Sequence, residues 1–169
     1  MLISPEYVEQ NRQLHEAIDV YGPGGIEWAK PVVAICASLK TKNVLDYGCG
    51  KGALVKALQE AGFDAYGYDP CVDGYAVSPD PADVVVCTDV LEHIEPEHLD
   101  DVLDDLERLT KKALYLIIST RPALKILPDG RNAHLSLMPG NEWLGKLLPR
   151  FNLLTYTRHK HGLVAVLEK

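Results

Sequence analysis

The chain has 169 residues, 47% of them hydrophobic, with 17 Lys/Arg against 24 Asp/Glu and a net charge of −7. That length suits one domain over 1–169 with a buried core, and it leaves no room for a second of independent stability. The apolar runs are too short for a membrane span, and an acidic balance argues against nucleic acid as a default partner while leaving it open.

In chain order, residues 5–20 read as a weak helix, and "GPGG" at 22–25 breaks it. A helix is predicted over 26–39, with Pro31 kinking or restarting it. "NVLDY" (43–47) reads as a short buried strand, "GCGKG" as a turn, and "ALVKALQEAG" (53–62) as a helix stopped by Gly62. "DAYGYD" (64–69) and "DVVVCT" (83–88) read as further strands. Beyond Pro96, the residues Leu99, Val102, Leu103, Leu106 and Leu109 recur at helical spacing, with Asp100, Asp101, Asp104 and Asp105 on the outer face. "ALYLIIS" (113–119) is the next strand, and "GNEWLGKLL" is a short helix. "FNLLTYT" and "GLVAVLE" close the chain as an antiparallel pair.

Strands alternating with helices imply an α/β, Rossmann-like three-layer sandwich with a mostly parallel sheet. The stretch "PCVDGYAVSPDP" has too much proline and glycine for a crossover helix, so the third strand is expected to be short or missing. "MLISPEYVEQ" has no secretory pattern, and Cys36, Cys49, Cys71 and Cys87 have neither disulfide nor metal-knuckle spacing. A reduced, cytoplasmic setting is expected. Charge is divided unevenly: residues 1–110 hold 7 Lys/Arg and 21 Asp/Glu, residues 111–169 hold 10 and 3. The basic C-terminal third could attract an anionic acceptor, or it could be scattered solvated charge.

"DYGCGKGA" follows a strand and opens a helix, the context in which a glycine loop brings backbone N–H groups up to a ligand. Asp69 ends the next strand, where a carboxylate can accept both hydroxyls of an adenosine ribose. Gly48, Gly50 and Ala53 also fit a dinucleotide pattern, so the glycines alone leave NAD and an oxidoreductase open. A third strand-end cluster, "TDVLEH", brings Asp89, Glu92 and His93 within five residues. It could hold a metal, line a metal-free pocket with His93 or His134 as general base, or be mere polarity before a helix. From Glu95 onward it reads as the start of that helix.

Taken together, "VLDYGCGKG", "YDP" and "ADVVVCTDVLEHI", with the closing hairpin, resemble the class I S-adenosylmethionine-dependent methyltransferases over residues 40–169. The resemblance implies that Asp46, Gly48, Gly50 and Gly52 fill D-x-G-x-G-x-G. Gly48, Cys49 and Gly50 would then line the methionine moiety, with Asp46 behind them holding its amino group or the loop. It places Asp69 on the ribose, Pro70 and Cys71 beside the adenine, and Thr88, Asp89 and Val90 under the sulfonium. The spacing of Asp89, Glu92 and His93, with the downstream His134, is similar to motifs of small-RNA 2′-O-methyltransferases and ubiquinone-pathway O-methyltransferases. Those families hold Mg²⁺ or Mn²⁺ with two carboxylates and histidines beside the acceptor oxygens. The resemblance thus implies O-methylation of a small or anionic acceptor with Glu92, His93 and His134 in the chemistry. The alternative is a methyltransferase fold that binds cofactor but acts silently through a partner. Arg121, Lys125 and Arg131 could clamp a phosphate or carboxylate of the acceptor, or be ordinary solvated loop charges. Residues 1–28, with Tyr7, His15, Tyr21 and Trp28, are expected to form a lid or acceptor wall.

Overall fold

The computed structural model describes residues 2–17 and 27–169. Helices α1 (Pro5–Ala17) and α2 (Ala29–Ser38) precede β1 (Asn43–Tyr47), α3 (Ala53–Glu60) and β2 (Asp64–Tyr68). Then come β3 (Ala82–Thr88), α4 (Leu99–Leu109), β4 (Thr110–Ser119), α5 (Gly140–Leu147), β5 (Asn152–His159) and β6 (Gly162–Glu168). The six strands lie in the order β2-β1-β3-β4-β6-β5. The first four are parallel, and β6 pairs antiparallel with both β4 and β5. Between β2 and β3 the chain forms neither helix nor strand, as its prolines and glycines predicted. The sheet is correspondingly one strand shorter on that side.

Strand alternation divides the core into two layers. Val44, Val84, Val86 and Tyr115 pack against α2 and α3 through Val32, Cys36, Leu54 and Leu58. Leu45, Val85, Leu114 and Leu116 point the other way, against the buried leucine stripe of α4 and Trp143 and Leu147 of α5. In α4 the five predicted positions, Leu99, Val102, Leu103, Leu106 and Leu109, are all buried. Each contributes about 1.5–3 kcal/mol by leaving water.

One sequence expectation is corrected. Pro31 does not kink the second helix, because α2 begins at Ala29 and Pro31 falls in its first turn. There the missing N–H would have had no helical partner anyway. No helix among the described residues is long and apolar enough to cross a membrane.

Candidate active site

The C-terminal ends of β1, β2 and β3 converge on one region, and the loops leaving them carry its polar groups. After β1 the N–H groups of Gly48 and Cys49 both donate to the carbonyl of Tyr68, at 2.7 and 3.1 Å. This sharp turn needs left-handed backbone at Gly48, Gly50 and Gly52, with φ of 76°, 52° and 74°. Space is as restrictive as φ at Gly48, where an added Cβ would collide with the Val90 methyl groups. Gly48→Ala is therefore expected to destabilise the fold by about 2–4 kcal/mol in urea unfolding, combining overpacking with backbone strain. Adding Val90→Ala should recover the overpacking part but leave the strain of about 1–2 kcal/mol. Full recovery would show that φ carries no cost there.

Asp69 is the keystone of the loop. Its Oδ2 accepts the Gly50 N–H at 3.0 Å and its Oδ1 accepts the Cys71 N–H at 2.9 Å. It thus grips the glycine turn and the start of the next loop at once. Each carboxylate oxygen keeps a second lone pair for a ligand hydroxyl. Asp46, buried beneath the turn, has its carboxyl pushed up to about 7, by burial first and by the nearby Asp69 charge second.

Gly52 departs from its expected role as a cofactor contact. It is the N-cap of α3, and an added Cβ would meet the hydroxyl of Tyr75 rather than the cavity. Tyr75, unremarked in the sequence, sits on a turn whose carbonyl also accepts the Asp69 N–H at 3.0 Å. Nothing in its local pattern signals this packing.

The β3 end holds the second cluster. Glu92 is fully buried in a 3-10 turn, Leu91–His93, and its Oε1 accepts the Ser119 N–H at 2.8 Å. Its Oε2 is buried with no protein partner. Burial, the largest cause, pushes this carboxyl up to about 8. His93 Nδ1 lies 2.8 Å from the Ala133 carbonyl, and His134 Nδ1 lies 2.6 Å from the Arg121 carbonyl. Since a carbonyl only accepts, both Nδ1 atoms carry the proton, so the Nε2 of each ring is the nitrogen left to accept or ligate in the neutral form. Burial, ahead of repulsion from His134, holds His93 down at about 4, so it is neutral at pH 7. The rings meet edge to face at 4.7 Å.

Glu92, His93 and His134 each offer a ligand atom, and these atoms lie within 4.8 Å of one another. The buried, unpartnered Oε2 and two imidazoles oriented by carbonyls fit a divalent cation, because outer hydrogen bonds of this kind fix ligating histidines. Asp89, the fourth ligand implied by the motif, is not in the group. Its backbone is left-handed, with φ 55°, and its side chain is exposed at the cavity instead. Three ligands, not four, are brought together.

A single cavity of about 480 Å³ joins the two clusters. Asp46, Gly48, Cys49, Gly50, Asp69, Pro70, Cys71, Thr88, Asp89 and Val90 all line it, as do His93 and His134. From the N-terminal segment, Tyr7 and Trp28 reach it, while the His15 side chain and Tyr21 lie outside what is described. Of the three loop cations, Arg121 and Lys125 line the cavity. Arg131 does not: it pairs with Asp129 at 2.7 Å on the surface. Burial pushes the Cys49 and Cys71 thiols well up, which disfavours the thiolate form at both.

A sequence family described as a methyltransferase domain matches residues 27–165. Curated relatives include the ubiquinone biosynthesis O-methyltransferase of Aliivibrio fischeri, 26% identical over 145 aligned positions that cover 63% of this chain and 62% of the relative. The protein of the same name from Methylococcus capsulatus is 30% identical, over 67% of this chain and 55% of its own length. The chain thus spans less than two thirds of these relatives. Among solved structures, a Burkholderia thailandensis 1,6-didemethyltoxoflavin-N1-methyltransferase with bound S-adenosylhomocysteine superposes with a TM-score of 0.72 at 19% identity. That match covers 100% of this chain and 92% of the other. Magnesium protoporphyrin IX methyltransferase from Synechocystis gives 0.65 at 19% identity, covering 98% and 94%. These two likenesses are of fold.

Proposed function

We propose that this chain, which belongs to the methyltransferase-domain family, transfers the methyl group of S-adenosylmethionine to an oxygen of a small or anionic acceptor. A divalent cation, Mg²⁺ or Mn²⁺, would be held by Glu92, His93 and His134. The observation that carries this reading is the one cavity running from the glycine loop and Asp69 to His93 and His134, the imidazoles beside buried Glu92.

The sulfonium of the cofactor supplies an already activated methyl, so the protein's task is positioning. Asp69 keeps the turn at Gly48–Gly50 formed and offers its remaining lone pairs to the ribose. Asp46, ionised above about pH 7, favours the cationic methionine end. Val90, packed on Gly48, sets the floor below the reacting carbon. A cation at the cluster would lower the pKa of a coordinated acceptor hydroxyl. His93, held neutral far below the pH range in which an imidazole is an effective base, suits ligation better than proton abstraction. Arg121 and Lys125, at the same cavity, would meet an anionic group on the acceptor.

His134→Ala is expected to weaken Mn²⁺ binding by at least about tenfold in a calorimetric titration, with S-adenosylhomocysteine affinity changed less than about twofold. Equal Mn²⁺ binding by both proteins would remove the cation from this reading while leaving the cofactor claim intact.

A further inference from the structure

Glu95, which reads in the sequence as the first polar residue of a helix, is buried and has other partners. Its Oε2 accepts the Ser4 backbone N–H at 2.8 Å and its Oε1 accepts the Ser4 hydroxyl at 2.7 Å. Ser4 in turn caps α1, accepting the Tyr7 N–H at 3.1 Å. A second clasp joins the same helix to the loop after β4, from Gln10 Nε2 to Asp129 at 3.0 Å. Along the described part of this segment the buried side chains are Ile3, Tyr7 and Gln10, a single narrow stripe. Ile3, Tyr7 and Asn11 line the cavity. Farther along α1, the Arg12 charge reaches the Cys71 thiol and partly opposes the upward push of burial and Asp69. The segment therefore walls the cavity from Glu95, two residues beyond His93, and its Ile3 and Tyr7 share a core cluster with Cys71.

Ile3 and Tyr7 anchor this helix at the edge of the core with only partly buried Leu2 and Val8 beside them, so its polar clasps add to a limited apolar hold. The base beneath it is braced without it. The Ser136 N–H donates to the Glu92 carbonyl at 2.9 Å, and the Ser136 hydroxyl donates to the Ile94 carbonyl at 2.8 Å. From this geometry we infer that Glu95 is a positioning residue. It seats α1 as a wall of the ligand cavity, and breaking its bonds to Ser4 releases the wall without dismantling the cluster below. Glu95 thereby sets how long a ligand stays bound; the cofactor part of this inference rests on the function proposed above.

The test is alkylation of the full chain by iodoacetamide without ligand, each cysteine being followed by peptide mass spectrometry. Glu95→Gln keeps the side-chain volume but turns an amide donor towards one Ser4 donor. It is expected to speed labelling of Cys71 by about tenfold or more, because each lost bond to a buried charge is costly. Cys36, in the opposite core layer, and Cys87, on β3, are both fully buried and should keep their wild-type rates. Ser4→Ala should give an intermediate rate. Unchanged Cys71 labelling, or equal acceleration of all three thiols, would overturn the assignment. In parallel, S-adenosylhomocysteine should dissociate from Glu95→Gln faster by a similar factor. Failure of that nucleoside to bind wild type would count against the cofactor reading, while the thiol rates would still decide the role of Glu95.

Discussion

Asp69→Ala is expected to lose S-adenosylhomocysteine affinity by about 100-fold or more, the largest functional effect of any single substitution at the glycine loop. The reason lies in the two N–H groups its carboxylate holds, those of Gly50 and Cys71. Hydrogen bonds to a charged group contribute about 1.5–3 kcal/mol each, and loss of both frees a turn built on left-handed backbone at Gly48 and Gly50. Direct loss of ribose acceptors adds to this. Asp69→Asn keeps one acceptor oxygen and should fall between alanine and wild type. Calorimetric titration of the three proteins checks the order. Equal affinity in all of them would mean that neither the bracing of the loop nor a ribose contact by Asp69 contributes to binding.

Asp46→Asn should produce the largest stability effect, and its sign depends on pH. The Asp46 carboxyl is raised from 3.8 to about 7 in the folded chain by burial, then by Asp69. Below pH 3.8 it is neutral in both folded and unfolded chains and costs nothing. Between 3.8 and about 7 the unfolded chain releases the proton while the folded chain retains it, so stability falls as pH rises. Above about 7 the penalty is complete, on the order of 4 kcal/mol at 1.36 kcal/mol per pKa unit. Asparagine copies the neutral acid. Asp46→Asn should therefore unfold like wild type near pH 4 and be more stable by several kcal/mol at pH 8, with weaker cofactor binding. Parallel stability–pH curves for the two proteins would contradict the buried charge.

The contrast between these two neighbours shows what the sequence made legible. Asp46, Gly48, Gly50 and Asp69 were found because strand, turn and helix signals fall at fixed spacing around them. The Leu99–Leu109 stripe and the missing third strand were equally plain, since periodicity and proline content act locally. Of the four residues the motif singles out, the structure gathers Glu92, His93 and His134 within 4.8 Å and leaves Asp89 outside that group. The left-handed backbone at Asp89 leaves no mark on composition. Glu95 was passed over for a related reason. Its partner Ser4 lies 91 residues away, and no periodic pattern records a pairing of that kind. Tyr75 went unremarked, and Arg131 was left open between clamp and solvated charge, because their partners, Gly52 and Asp129, are set by loop packing.

The central claim is that the cavity at the C-terminal ends of β1–β3 binds the adenosyl cofactor. Calorimetric titration of wild-type chain with S-adenosylhomocysteine tests it most directly, with NAD as the comparison ligand. One S-adenosylhomocysteine per chain and no heat from NAD is the expected result; binding of NAD, or of neither ligand, would contradict it.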